Sequence, residues 1–335
     1  MQILDKCKAY NRSEEVKNQG VYPYFREIQD SEGPVVTMEG KKVVMAGSNN
    51  YLGLTTHPHV KEAAIKAIEK YGTSCSGSRF LTGTIDLHVE MEDKIAKFLG
   101  KESALLFSTG FQAGQGVIAP LVGRGEHILS DRDNHASIVA GNMLAASLNI
   151  NVVRYRHNDM EDLEKRLSKL PLEEGKLIAT DGVFSTFGSV VSLDDIAALG
   201  KKYNANVVVD DAHAFGVIGP GGKGTAHHFG VEDDVDLMIC TFSKTLASIG
   251  GFVVGDEKVI NYLKHKSPAL IFSASPTPAS VASSIAALEV LKANPELPAK
   301  VRANTEFVRQ GLKDSGFQVV DGETAIVPVI IGDDD

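Results

Sequence analysis

A single lysine set among small hydroxyl residues stands at the exit of an apolar run. Val235-Asp236-Leu237-Met238-Ile239-Cys240 leads into Thr241-Phe242-Ser243-Lys244-Thr245, and Gly250-Gly251 follows. An ammonium in a partly desolvated pocket gives up its proton and can attack a carbonyl to form a Schiff base. The hydroxyls of Thr241 and Ser243 suit a phosphate. Lysine imine plus phosphate is the chemistry of pyridoxal 5'-phosphate. Taken alone, the segment also reads as a solvated lysine at a strand-to-loop turn.

Other residues extend the same chemistry. After Val207-Val208-Val209 come Asp210-Asp211-Ala212-His213. Asp210 could pair with a protonated pyridine nitrogen and keep the ring an electron sink, with His213 bonding the ring phenolate oxygen. Aspartates at strand exits are also common turn formers. Neighbours on a strand point to opposite faces, so Asp211 is expected to be structural. Ser108-Thr109-Gly110-Phe111-Gln112-Ala113-Gly114 opens a helix whose Gly110 and Phe111 N–H groups could hold a phosphate, or simply form a capped turn. In Asn134-His135-Ala136-Ser137, His135 could stack on a pyridine face or pack as an ordinary capping histidine. Ser185, after Asp181-Gly182-Val183-Phe184, could reach the ring oxygen or serve as a turn serine.

Two features carry no such chemistry. Gly219-Pro220-Gly221-Gly222-Lys223-Gly224-Thr225 is similar to a P-loop, but Gly224 stands where a Ser or Thr must follow the lysine. His227-His228 lack further ligands at zinc spacing, so no metal is expected.

The elements that would position these residues alternate along the chain. Ala104-Phe107, His127-Ser130, Asn151-Tyr155, Lys176-Thr180, Asn206-Val209 and Leu237-Thr241 read as buried strands. Between and around them lie helices at about 58–71, Leu87 to Leu99, Met160-Leu170, Leu193-Tyr203 and Glu257-Lys264. Strand and helix in alternation predict an α/β fold with a mainly parallel sheet, whose ligands sit beyond the carboxyl ends of the strands. Residues 1 to about 20 read as a polar helix, residues 21–28 as an aromatic extended segment, and Val35-Thr37 with Lys42-Met45 as a small strand pair. A long helix from Ala279 to Leu291, a helix at about 298–315 and a strand over Ala325-Ile331 begin a smaller α+β domain. The domains are expected at 1–50, 51–280 and 281–335. The last is too small to close a core, so the chain reads as a piece of a longer protein, the alternative being a short chain with the acidic tail Asp333-Asp334-Asp335.

Composition narrows the class. With 43% apolar and 23% charged residues over 335 positions, the chain suits a globular protein with a substantial core. A net charge of −9 argues against nucleic acid as a partner. Cys7, Cys75 and Cys240 lie far apart, which predicts neither a disulfide framework nor a zinc site and fits a reducing cytoplasm. No stretch approaches the roughly 18 apolar residues of a membrane span; peripheral membrane contact is compatible with this reading.

The ordered set of glycine turn, histidine, Asp-x-x-His and Ser-Lys resembles the α-oxoamine synthases. Gly47-Ser48-Asn49-Asn50-Tyr51-Leu52-Gly53-Leu54 and Gly77-Ser78-Arg79-Phe80-Leu81 add to it. These are fold-type I pyridoxal-phosphate enzymes that condense an amino acid with an acyl-CoA and release carbon dioxide. The resemblance implies a seven-stranded sheet and a homodimer with active sites at the interface. It implies Lys244 as the cofactor-bonding lysine and Cα base, Asp210 at the pyridine nitrogen, His213 at the phenolate oxygen and His135 on the ring. Gly110, Phe111, Thr241 and Ser243 would serve the phosphate, with Ser273 and Ala274 reaching the partner subunit's phosphate. Tyr22-Pro23-Tyr24-Phe25-Arg26, Phe242-Ser243 and Phe272-Ser273-Ala274-Ser275-Pro276-Thr277-Pro278 resemble the members that join serine to a long-chain acyl-CoA. A glycine acetyltransferase and an 8-amino-7-oxononanoate synthase are the alternatives, and an inactive cofactor-binding subunit is the alternative of another class. The chain departs from the family at Ala140 and Met143, where Asp and Arg are usual, and at Thr186-Phe187-Gly188-Ser189. The family's arginine for the substrate carboxylate would fall beyond residue 335.

Overall fold

The computed structural model describes residues 2–332; the tail Asp333-Asp335 lies outside the described residues. The chain divides into two units, residues 1–48 and residues 49–335.

In the first unit, the polar helix expected over residues 1–20 is two short helices, Asp5–Lys8 and Arg12–Asn18. Neither buries a residue, so no apolar stripe holds a longer helix together. The expected strand pair is a three-stranded antiparallel sheet of β1 (Ile28–Glu32), β2 (Val35–Met38) and β3 (Lys41–Val44).

The second unit is built on seven strands. They are β4 (Ser103–Phe107), β5 (His127–Asp131), β6 (Asn151–Tyr155), β7 (Lys176–Asp181), β8 (Asn206–Asp210), β9 (Leu237–Thr241) and β10 (Gly251–Gly255). Their order is β4-β10-β9-β8-β7-β5-β6. Neighbours from β9 to β6 pair in parallel, whereas β10 runs antiparallel to both β4 and β9. Six strands announce themselves as apolar runs. The seventh does not, because Gly251 and Gly255 leave only Phe252-Val253-Val254 between them.

Alternation along the strands feeds two cores. Leu106, Leu129, Ile178, Val209, Cys240 and Phe252 pack on one face with the helices Asp86–Leu99, Leu193–Tyr203 and Pro278–Ala293. Leu105, Ile128, Leu177, Val208, Ile239 and Val253 pack on the other with Gly110–Leu121 and Glu257–Lys266. Burial on both faces is why the strands read as continuous apolar runs. Phe252 is fully buried, and truncating such a side chain to alanine costs about 3–5 kcal/mol.

The pairing brings the carboxyl ends of β5, β7, β8 and β9 to one edge, and Gly251 at the start of β10 pairs there with Phe107 of β4 and Thr241 of β9. Beyond the sheet, helix Leu297–Asp314 leads to β11 (Gln318–Val319) and β12 (Val329–Ile330), an antiparallel pair. The strand expected over Ala325-Ile331 shrinks to two residues after Pro328, which has no N–H to give a ladder. No helix among the described residues is long and apolar enough to cross a membrane.

Candidate active site

The loops after these strands enclose a cleft of about 350 Å3. Gly110, Phe111, His135, Asp210, His213, Thr241, Ser243 and Lys244 all line it. Their positions span 135 residues of sequence, and the order of the strands in the sheet collects them.

Lys244 sits in the loop that joins β9 to its antiparallel neighbour β10. The loop is closed by the Phe242 N–H donating to the Gly250 carbonyl at 3.0 Å and the Ser248 N–H donating to the Phe242 carbonyl at 3.0 Å. Thr245 Oγ1 donates to the Phe215 carbonyl at 2.7 Å, pinning the residue after the lysine to the floor. Gly250 has φ 147°, and a side chain there would run into the Phe242 ring. Burial pushes the Lys244 amine below the ordinary lysine range, with the nearby Asp210 charge pulling the other way. Burial thus weakens the hold of this amine on its proton relative to an exposed lysine.

Asp210 ends β8 and is 7% exposed. Its Oδ1 accepts the Ala212 N–H at 3.0 Å. Burial raises its carboxyl, against the pull of that N–H, Lys244 and His135. His213 lies three residues on, its Nδ1 2.6 Å from the Tyr51 hydroxyl. Burial raises the Tyr51 phenol, so it keeps its proton at neutral pH. Burial also pushes His213 down to about 3, so its ring is neutral.

His135 caps the helix Ala136–Ser147, its Nδ1 accepting the Ser137 N–H at 3.2 Å. Its backbone N–H donates to Asp181 Oδ2 at 3.0 Å. At the other end of the cleft, Thr109 caps the helix Gly110–Leu121 by accepting the Gln112 N–H at 3.1 Å. First-turn N–H groups have no intrahelical acceptor, so those of Gly110 and Phe111 are open to an anion. A methyl on Gly110 would lie 2.6 Å from Thr241 Cβ and Oγ1, so helix and lysine loop touch only because this position is bare. Thr241 Oγ1 is 2.7 Å from Ser243 Oγ, which sets two hydroxyls beside that helix end.

Three candidates lie outside the cleft lining. Ser185 is exposed in the loop after Phe184. Ser273 accepts from Gln112 Nε2 at 2.8 Å, and the Ala274 carbonyl accepts from the Ser108 hydroxyl. Two groups that sequence reasoning did not single out belong to the site: Tyr51 behind His213, and Asp181, a buried cleft carboxyl with one oxygen unpartnered among the described residues. Thr225, at the end of the glycine-rich Gly219–Gly224 turn, spends its N–H and hydroxyl on Asp211. No cluster of three His, Cys, Asp or Glu among the described residues could hold a metal.

The donor set has the polarity that pyridoxal phosphate requires. It offers N–H groups and hydroxyls for an anion at Gly110, Phe111, Thr241 and Ser243, together with an amine, a carboxyl and a neutral imidazole in the same cleft. Residues 41–335 match the family Aminotransferase class I and II. The chain is 50% identical to a serine palmitoyltransferase of Sphingobacterium spiritivorum, over 98% of this chain and 82% of that protein. It is 42% identical to an 8-amino-7-oxononanoate synthase of Thermoanaerobacter pseudethanolicus, over 96% of this chain and 81% of that one. A solved serine palmitoyltransferase from S. paucimobilis with bound PLP-myriocin aldimine superposes with a TM-score of 0.95 at 34% identity, covering 100% of this chain and 84% of that one. The architecture is that of fold-type I pyridoxal-phosphate transferases, and the chain belongs to the aminotransferase class I and II family.

Proposed function

We propose that this chain condenses L-serine with palmitoyl-CoA, releasing CoA and carbon dioxide and giving 3-ketosphinganine, with pyridoxal 5'-phosphate as cofactor. The observation that carries the reading is the convergence of Lys244, Asp210, His213 and His135 in one cleft. The 50% identity to a serine palmitoyltransferase, against 42% to an 8-amino-7-oxononanoate synthase, supports serine and a long acyl chain over the alternative.

When bound, the cofactor supplies a carbonyl that bonds amines and a ring that accepts the electron pair left at the substrate Cα. Lys244 would hold it through Nζ and would serve as the base for the proton at that carbon. Asp210 would pair with the pyridine nitrogen, its negative charge favouring the protonated ring. His213, held by Tyr51, would hydrogen-bond the phenolate oxygen. His135 would stack on the ring. The N–H groups of Gly110 and Phe111 and the hydroxyls of Thr241 and Ser243 hold the phosphate. Ser185 would reach the ring oxygen from the exposed loop after Phe184. Ser273 and Ala274 serve the phosphate of a partner in a cytoplasmic homodimer. Residues 51–280 would form the cofactor-binding domain, between the N-terminal segment 1–50 and a C-terminal segment at 281–335.

The test is CoA release from serine, glycine and alanine, each with palmitoyl-CoA and with acetyl-CoA. Serine with palmitoyl-CoA turns over fastest on this reading. Faster turnover of glycine with acetyl-CoA sinks the substrate assignment. A visible cofactor band that survives Lys244→Ala sinks the lysine assignment.

A further inference from the structure

Asp181 ends β7 as Asp210 ends β8, and the two are direct partners across the parallel ladder. Adjacent strands lie about 4.8 Å apart. Both carboxyls line the cleft, at 4% and 7% exposure. Asp181 is also stitched to the histidine loop. Its Oδ2 accepts the His135 N–H at 3.0 Å, and its own N–H donates to Asn134 Oδ1 at 2.9 Å. Asn134 is fixed in turn by the Ser130 hydroxyl and the Ala179 carbonyl. The remaining oxygen, Oδ1, is buried with no hydrogen-bond partner among the described residues.

A bare carboxylate oxygen in such a place is expensive, and the Asp210 charge adds to the cost of ionising Asp181. The charged and titratable groups around Asp181 are Asp210 and Asp131, which oppose its charge, Lys244, which favours it, and the buried Tyr155 phenol. Lys244 is one amine for two acids.

We propose that Asp181 is a positioning residue held as the neutral acid: Oδ2 fixes the His135 backbone, and Oδ1–H faces the cleft, so that Asp210 is the sole anion of the pair. Burial and then the Asp210 charge raise the Asp181 carboxyl well above its ordinary value. Asp210 is held back by the Ala212 N–H, Lys244 and His135. The single charge is what a protonated pyridine nitrogen requires, and to that extent the inference rests on the cofactor reading. The protonation of the pair does not.

Asp181→Asn tests it, because the amide keeps an acceptor for His135 and a donor in place of Oδ1–H but cannot ionise. The first measurement is the melting temperature of the cofactor-free full chain against pH. An Asp whose folded value lies above its unfolded value of about 3.9 stabilises the fold when protonated, and that stability is lost as pH rises through the folded value. Asp181→Asn therefore flattens the decline that sets in as pH rises above about 4. An unchanged slope overturns the proposal. The second is a cofactor titration by visible absorbance. Asp181→Asn stays within about threefold of the parent affinity, and Asp181→Ala, which frees the His135 loop, loses about tenfold. An Asn variant as weak as the Ala variant shows that an anion is needed and overturns it. A parent chain that takes up no cofactor would refute the cofactor reading, and the melting measurement would still decide the proton.

Discussion

Asp210 ends β8, Asp211 follows it, and both are shielded from water, at 7% and 0% exposure. The alternation of the strand sends them apart. The Asp211 carboxylate receives the Thr225 N–H at 2.8 Å and the Thr225 hydroxyl at 2.5 Å. Gly182 and Gly224 approach it so closely that a methyl on either would collide with it. Asp210 has one backbone donor, and otherwise faces the cleft. Burial does not separate the structural acid from the chemical one. The completeness of the hydrogen-bond set does: a closed set holds the fold, and an open one waits for a ligand.

The largest effect expected from this contrast is kinetic. Asp210→Asn should lower kcat/KM roughly 100- to 1000-fold, the scale of losing a fixed electrostatic partner, without lowering the melting temperature. Asp211→Ala should do the reverse, costing about 1–3 kcal/mol in urea unfolding while kcat/KM per folded molecule stays within twofold. Equal kinetic losses from the two would break the contrast. Next in size is Gly110→Ala, where the clash with Thr241 should cost about 1–3 kcal/mol, read as tenfold or weaker cofactor binding by absorbance titration. The smallest concerns pH. Burial pushes Asp211 up to about 7, so its protonated form stabilises the fold and that contribution fades as pH rises from about 4 through 7. Asp211→Asn should flatten the melting temperature over that window. A slope unchanged by the substitution would show that Asp211 is already ionised at low pH.

What the sequence displays and what it hides follow the same division. Lys244, Asp210, His213 and His135 each sit just after an apolar run, so strand reading and chemical type together find them. Asp211 is legible as structural from the pleat alone. Tyr51 is hidden because its partner His213 is 162 residues away and no local pattern links them. Asp181 ends its own apolar run as Asp210 does, but its meaning depends on β7 and β8 lying side by side. β10 is hidden for a local reason: its flanking glycines let it approach Gly110 and the Asp236–Leu237 turn, and the same glycines erase its hydrophobic signature. The resemblance to the α-oxoamine synthases supplied the seventh strand that the apolar pattern lacked.

The antiparallel insertion of β10 also sets when the chemistry can begin. Gly251 must pair with Phe107, so the lysine loop has no wall until a strand made 144 positions earlier is joined to it. Burial is the main cause that lowers the Lys244 amine, and an exposed lysine keeps its ordinary ammonium. The lowered amine is therefore a property of the assembled sheet and not of the lysine segment by itself.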